Sequence, residues 1–240
     1  MSTVVVAFAI VLLAAATQAA TGFGFALVAV PLLAMASDPR TAIVATSLTG
    51  LALTVGTAVR DRAHVRWRPA GGVLIAVVLG MPAGLLVLRT ASDQALTALI
   101  AVVVLGSTAM VWRGVRIGTG PLAVAGAGLI AGILTTATST NGPPLVAAFR
   151  GMGFDPRTFR ATLATVFAAA GALGLAGFAA AGQIDADAMT LAAAGAPGLA
   201  VGWWAGNRAF ARINSDRFRR IVLYALVAAS LVTLARVAAG

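Results

Sequence analysis

The sequence predicts an all-α polytopic membrane protein, with about ten transmembrane segments in two inverted five-segment repeats and broken helices at corresponding positions. Three observations carry this expectation. Of 240 residues, 60% are hydrophobic and only 10% charged, and the mean hydropathy is +0.98; a soluble domain carries about 25% charged residues. The apolar residues gather in runs near the ~20 residues that cross a bilayer, and they surround each run rather than forming one stripe. The two halves of the chain also repeat one another.

The first repeat, within residues 1–113, reads as Thr3–Ala20, a short Gly24–Ala36, Thr41–Val59, Pro69–Leu88 and Ala95–Trp112. The second, within 119–240, reads as Thr119–Ala137, a short Pro143–Met152, Thr158–Ala181, Ala188–Ala205 and Arg219–Ala239. Asp38-Pro39-Arg40-Thr41 recurs about half a chain later as Asp155-Pro156-Arg157-Thr158, in similar surroundings. Gly80-Met81-Pro82-Ala83 and Gly195-Ala196-Pro197-Gly198 follow in the same order at nearly the same shift, which points to an internal duplication.

Arginine placement tests whether the short segments cross. The 17 basic residues are all Arg and the seven acids all Asp, giving a net charge of +10. If both short segments cross and residues 60–68 lie inside, only Arg40, Arg89 and Arg236 remain outside. Eight crossings would instead put most Arg outside, against the positive-inside rule. Five crossings per repeat is odd, so the second copy is inverted, as in many alternating-access transporters. The Arg therefore report topology, and nucleic acid is not an expected partner. Met1–Ala20 lacks the basic start of a cleavable leader and is expected to remain as a helix.

Each repeat has a polar or Gly-rich break before its short segment: Gln18–Phe25 and Thr135–Pro144. Paired breaks of this kind point to a substrate site near the midplane. A break leaves the first N–H groups of the following helix without intrahelical partners, and the positive dipole end attracts an anion. Pro143 suits the first helical position, with Asn141 or Gly142 before it as a cap. The candidate substrate-binding residues are Gln18, Thr21, Gly22, Gly24, Thr46, Ser47, Thr138, Ser139, Thr140, Asn141, Gly142, Pro143 and Thr162. Thr135 is expected to stand apart from the site. The alternative is that both breaks are hydrated interfacial loops.

The remaining polar and small residues have structural readings. Thr49, Thr54, Thr57 and Thr165 are expected to bond back to their own helices or to join neighbouring ones. Gly128xxxGly132 and Gly198xxxGly202 form packing faces, and Trp203 and Trp204 act as interfacial anchors. There is no Cys, the one His (His64) lies in a basic loop, and the Asp lie in loops or turns. No carboxylate pair, metal cluster or nucleophile–base set falls within the spans, so no enzyme, metal or cofactor is expected. An anionic or neutral solute and the lipid bilayer are the expected partners, and a homodimer is compatible with the sequence.

"TGFGFALVAVPLLAMASDPRTAIVATSL" and "STNGPPLVAAFRGMGFDPRTFRATLATVF" resemble the two signatures of the TauE/SafE sulfite exporter family. The likeness runs over nearly the whole chain. The second signature is the more specific; in the first, Phe23 and Phe25 stand where the family usually has glycines. The resemblance implies a transporter of sulfite, sulfonates or related organosulfur anions in the bacterial inner membrane. An anion channel and a non-transporting membrane assembly protein are the alternatives.

Overall fold

The computed structural model describes residues 3–21, 24–210 and 215–239, and these form ten α-helices. They are α1 (Thr3–Thr21), α2 (Phe25–Ala34), α3 (Pro39–Arg60), α4 (Trp67–Thr90), α5 (Asp93–Trp112), α6 (Pro121–Thr138), α7 (Gly142–Gly151), α8 (Pro156–Ala180), α9 (Ala186–Phe210) and α10 (Ser215–Ala239). A single 3-10 turn, Arg62–His64, sits in the basic loop between α3 and α4. Among the described residues, five helices, α3, α4, α5, α6 and α8, are long and apolar enough to cross a membrane. At ten residues each, α2 and α7 are about 15 Å long, roughly half the hydrocarbon thickness.

Helix starts follow local capping chemistry. Asp38 accepts a hydrogen bond from the Thr41 N–H at 2.9 Å, with Pro39 in the first helical position. Asp155 does the same for Arg157 and Thr158, with Pro156 beside it. The repeated tetrapeptide is thus a helix-start device in both halves. Ser92 caps α5 and Asp185 caps α9, so these helices begin slightly earlier than their apolar runs suggest.

Packing recurs under a shift of five helices. α1 lies along α9 as α4 lies along α6; α3 meets α8 at the centre; α5 meets α10. Both long pairs run parallel and make close backbone contact through glycine. A Cβ at Gly132 would sit 1.9 Å from the Val77 carbonyl oxygen, and one at Gly84 2.0 Å from that of Ile133. In the other pair, a Cβ at Gly198 would come within 2.5 Å of the Phe8 carbonyl, and one at Gly202 within 2.2 Å of that of Leu12. The small-residue faces expected at Gly128xxxGly132 and Gly198xxxGly202 are therefore packing faces. Gly80 and Gly84, part of or beside the repeated Gly-x-Pro marks, complete the first contact. Pro82 and Pro197 lie inside continuous helices.

Hydrogen bonds identify the two ends of the bundle. At one end, Arg40 binds the Leu88 and Ala91 carbonyls and the Asp93 carboxylate, joining the α2–α3 and α4–α5 turns. Gln94 reaches Val237, near the end of α10, at the same end. At the other end, the Arg66 N–H donates to Thr162, and the Ile117 N–H donates to the Ala147 carbonyl. Gly151 packs against the Ile117 carbonyl. α7 therefore returns toward the end from which α6 set out.

Candidate functional site

The two breaks approach each other between α3 and α8. Phe25, at the start of α2, packs beside Gly50 near the middle of α3. Ser139, just after α6, donates to the Ile43 carbonyl at 3.0 Å and shares a short hydrogen bond with Ser47 on α3. Between the breaks lies a cavity of about 80 Å³, room for roughly five waters or one small oxyanion.

The first break offers backbone donors. Gly24 precedes α2 with φ 106°, a left-handed conformation that glycine adopts without penalty. The Phe25 N–H donates to Gln18 Oε1 at 3.2 Å. With that oxygen engaged, Gln18 keeps its Nε2 hydrogens as the groups it can offer a solute. Ala26 and Leu27 also line the cavity, and their N–H groups belong to the first turn, which has no intrahelical acceptors.

The second break is built differently. α7 begins at Gly142, not Pro143, with Asn141 in the capping position but making no side-chain cap bond. Pro143 and Pro144 then occupy the second and third helical positions, where missing N–H groups are tolerated. They also remove two of the donors expected for an anion. Side chains take over: the Asn141 Nδ2–H donates to Thr135 Oγ1 at 2.9 Å, and the Thr135 hydroxyl donates to the Ala131 carbonyl at 2.7 Å. Thr138 and Thr140 share a hydrogen bond of 2.6 Å. Ser139 carries the only positive φ (56°) among the described non-glycine residues, a strain of about 1–2 kcal/mol for an L-residue, held by its bonds to α3.

Of the expected site residues, Gln18, Gly24, Thr46, Ser47, Ser139, Thr140, Asn141 and Gly142 line the cavity. Thr46 is 1% exposed and its hydroxyl has no hydrogen-bond partner, a costly state that a polar solute would relieve. Thr138 and Pro143 are buried behind the lining. Thr162 does not face this cavity, because its hydroxyl accepts the Arg66 N–H and anchors the basic loop. Gly22 and the Thr21 side chain lie outside the described residues. Thr135, expected to stand apart, lines the cavity and orients Asn141. Sequence reasoning also missed Gly50, Leu51, Thr54, Phe167 and Gly171, which reach the cavity because α3 and α8 cross there. Among the described residues, no charged side chain lines it.

A family model described as sulfite exporter TauE/SafE matches residues 7–233. No curated protein and no solved structure matches the chain.

Proposed function

Because the chain belongs to the sulfite exporter TauE/SafE family, we propose that it is a secondary transporter of a small sulfur-containing anion, using the cavity between the breaks. The family and the apolar helices make it a multi-pass membrane protein. Sulfite, a sulfonate or a related organosulfur anion is the substrate class, and the bacterial inner membrane is the location.

One observation carries the reading: two helix breaks, far apart in sequence, enclose one cavity whose polar groups are neutral donors, including the unpartnered Thr46 hydroxyl. Such groups can replace part of the hydration shell of an anion without a fixed counter-charge that would slow its release. Packing that recurs under a five-helix shift supports inverted repeats, and the return of α7 toward the start of α6 supports ten segments. Rocking one repeat against the other would then expose the cavity to alternate sides.

The test is uptake of radiolabelled sulfite by proteoliposomes, compared at matched protein content. Uptake should saturate and should accumulate solute when a gradient drives it, whereas a channel would only equilibrate it. Gly142→Leu fills the lining and should abolish flux. Near-normal flux in both Gly142→Leu and Asn141→Ala would overturn the reading.

A further inference from the structure

A second, smaller cavity of about 10 Å³ lies beside the first and shares two of its walls, Gln18 and Phe167. Leu53, Thr57, Arg160 and Trp203 are among its other walls. Arg160 is half-buried, and the one ion pair among the described residues, Arg40–Asp93, does not involve it. Asp155, which caps the same helix, already accepts the Arg157 and Thr158 N–H groups. The cavity sits toward the basic end of the bundle: the Arg66 N–H donates to Thr162, two residues from Arg160, and Thr57 lies one turn before Arg60.

We propose, on the basis of the transport reading above, that this second cavity is the closed form of an anion vestibule, which widens for Arg160 to hand a small oxyanion to Gln18, with Phe167 as the gate. At about 10 Å³ the closed form holds no more than one water. Among the described residues the first cavity has no charged wall, and Arg160 is the charged side chain lining the space beside it, so an anion entering from the basic end meets Arg160 first. Apolar walls at Leu53 and Trp203 leave the guanidinium poorly screened, which strengthens its pull on an anion. The Gln18 Nε2 can donate to a solute in either cavity, because the residue lines both. The Phe167 ring, 9% exposed, lines the same two spaces. In the proposed gate, this ring moves to let the anion pass. Arg160 is thus a recruiting residue on the route, and the first cavity holds the anion.

The chain has no native cysteine, so Thr57→Cys gives a unique probe of the vestibule. It is treated with negatively charged sulfonatoethyl and positively charged trimethylammonioethyl methanethiosulfonate, and the ratio of the two rates is recorded. Replacing Arg160 with Gln should lower the anionic-to-cationic ratio by about tenfold, and replacing it with Lys should preserve most of it. Arg160→Gln should also cut sulfite uptake about tenfold or more, while sulfite binding measured at equilibrium in detergent changes less than about threefold. An unchanged rate ratio, or equal losses of binding and uptake, would overturn the vestibule. The thiol chemistry requires no sulfite, so failure of wild-type sulfite binding would strike the transport reading separately. Phe167→Ala keeps every charge and should raise the rates of both reagents at a cysteine replacing Thr54 in the first cavity. No increase would refute the gate.

Discussion

Thr135 and Asn141 form the most direct test of how the second break works. They lie six residues apart, on opposite sides of the Ser139 kink, and are joined by a 2.9 Å hydrogen bond. A neutral bond of this kind contributes about 0.5–1.5 kcal/mol net, and one to an anion about 1.5–3 kcal/mol. If Thr135 acts by holding the Asn141 amide toward the solute, Thr135→Ala should weaken apparent affinity about fivefold, the equivalent of ~1 kcal/mol. Asn141→Ala loses the contact to the anion itself and should weaken affinity by about tenfold to a hundredfold. The double variant should be no worse than Asn141→Ala, because Thr135 then has no amide left to hold. That non-additivity amounts to a coupling of about 1 kcal/mol. Concentration dependence of sulfite uptake supplies the affinities, and melting temperature separates them from folding defects. Additive losses, or normal affinity in Thr135→Ala, would refute the coupling.

Three further outcomes are expected. Gly132→Val, whose Cβ would meet the Val77 carbonyl at 1.9 Å, should prevent stable expression or cost more than the usual ~1–3 kcal/mol of overpacking; Gly126→Ala, facing open space on the same helix, should melt at or above the wild-type temperature. Single cysteines at Arg40 and Arg157 should label from opposite sides of the membrane with an impermeant reagent, and labelling from one side would exclude the inverted repeat. The Thr158 and Arg157 hydrogen bonds hold the Asp155 carboxyl below its ordinary value of 3.8, so its contribution is present above that pH and is lost as pH falls through the lowered value. Asp155→Asn keeps a good cap and should flatten the acid limb of a melting-temperature curve, while leaving the pH dependence of transport near neutrality unchanged.

Much of the scaffold was legible because it depends on local rules. Apolar runs marked the helices, Asp-Pro marked two helix starts, and Gly-xxx-Gly marked two close contacts. The breaks were legible for the same reason, since Gly or Pro clustered with polar residues favours an interruption, whereas the isolated Pro82 and Pro197 stay inside continuous helices. What could not be read was which helix each broken end would face. Thr54 bonds back to Gly50 and Leu51, as its type suggests, yet also lines the cavity because α3 crosses α8 there. Thr162 looked equivalent to Thr46 from its distance to the repeated turn. The fold gives its hydroxyl the Arg66 amide and leaves the Thr46 hydroxyl without a partner.

The two breaks match in sequence position, but they present different chemistry. The first turn of α2 keeps the N–H groups of Ala26 and Leu27, while α7 gives up two to Pro143 and Pro144 and relies on Asn141 and neighbouring hydroxyls. An anion in the cavity would be held by rigid backbone donors from one repeat and by side-chain donors from the other. The backbone set can change only by moving its whole helix. The side-chain set can change by rotamer, and its orientation is held through a single neutral bond to Thr135. Loosening of the grip should therefore begin at the α6–α7 break, where a bond worth about 1 kcal/mol is the restraint. Thr135→Ser, which keeps the acceptor, should preserve affinity. Thr135→Val, which keeps the shape and removes the acceptor, should reproduce the fivefold loss of Thr135→Ala. If valine instead transports with normal affinity, packing rather than the hydrogen bond orients Asn141, and the α6–α7 break is not the more easily released half.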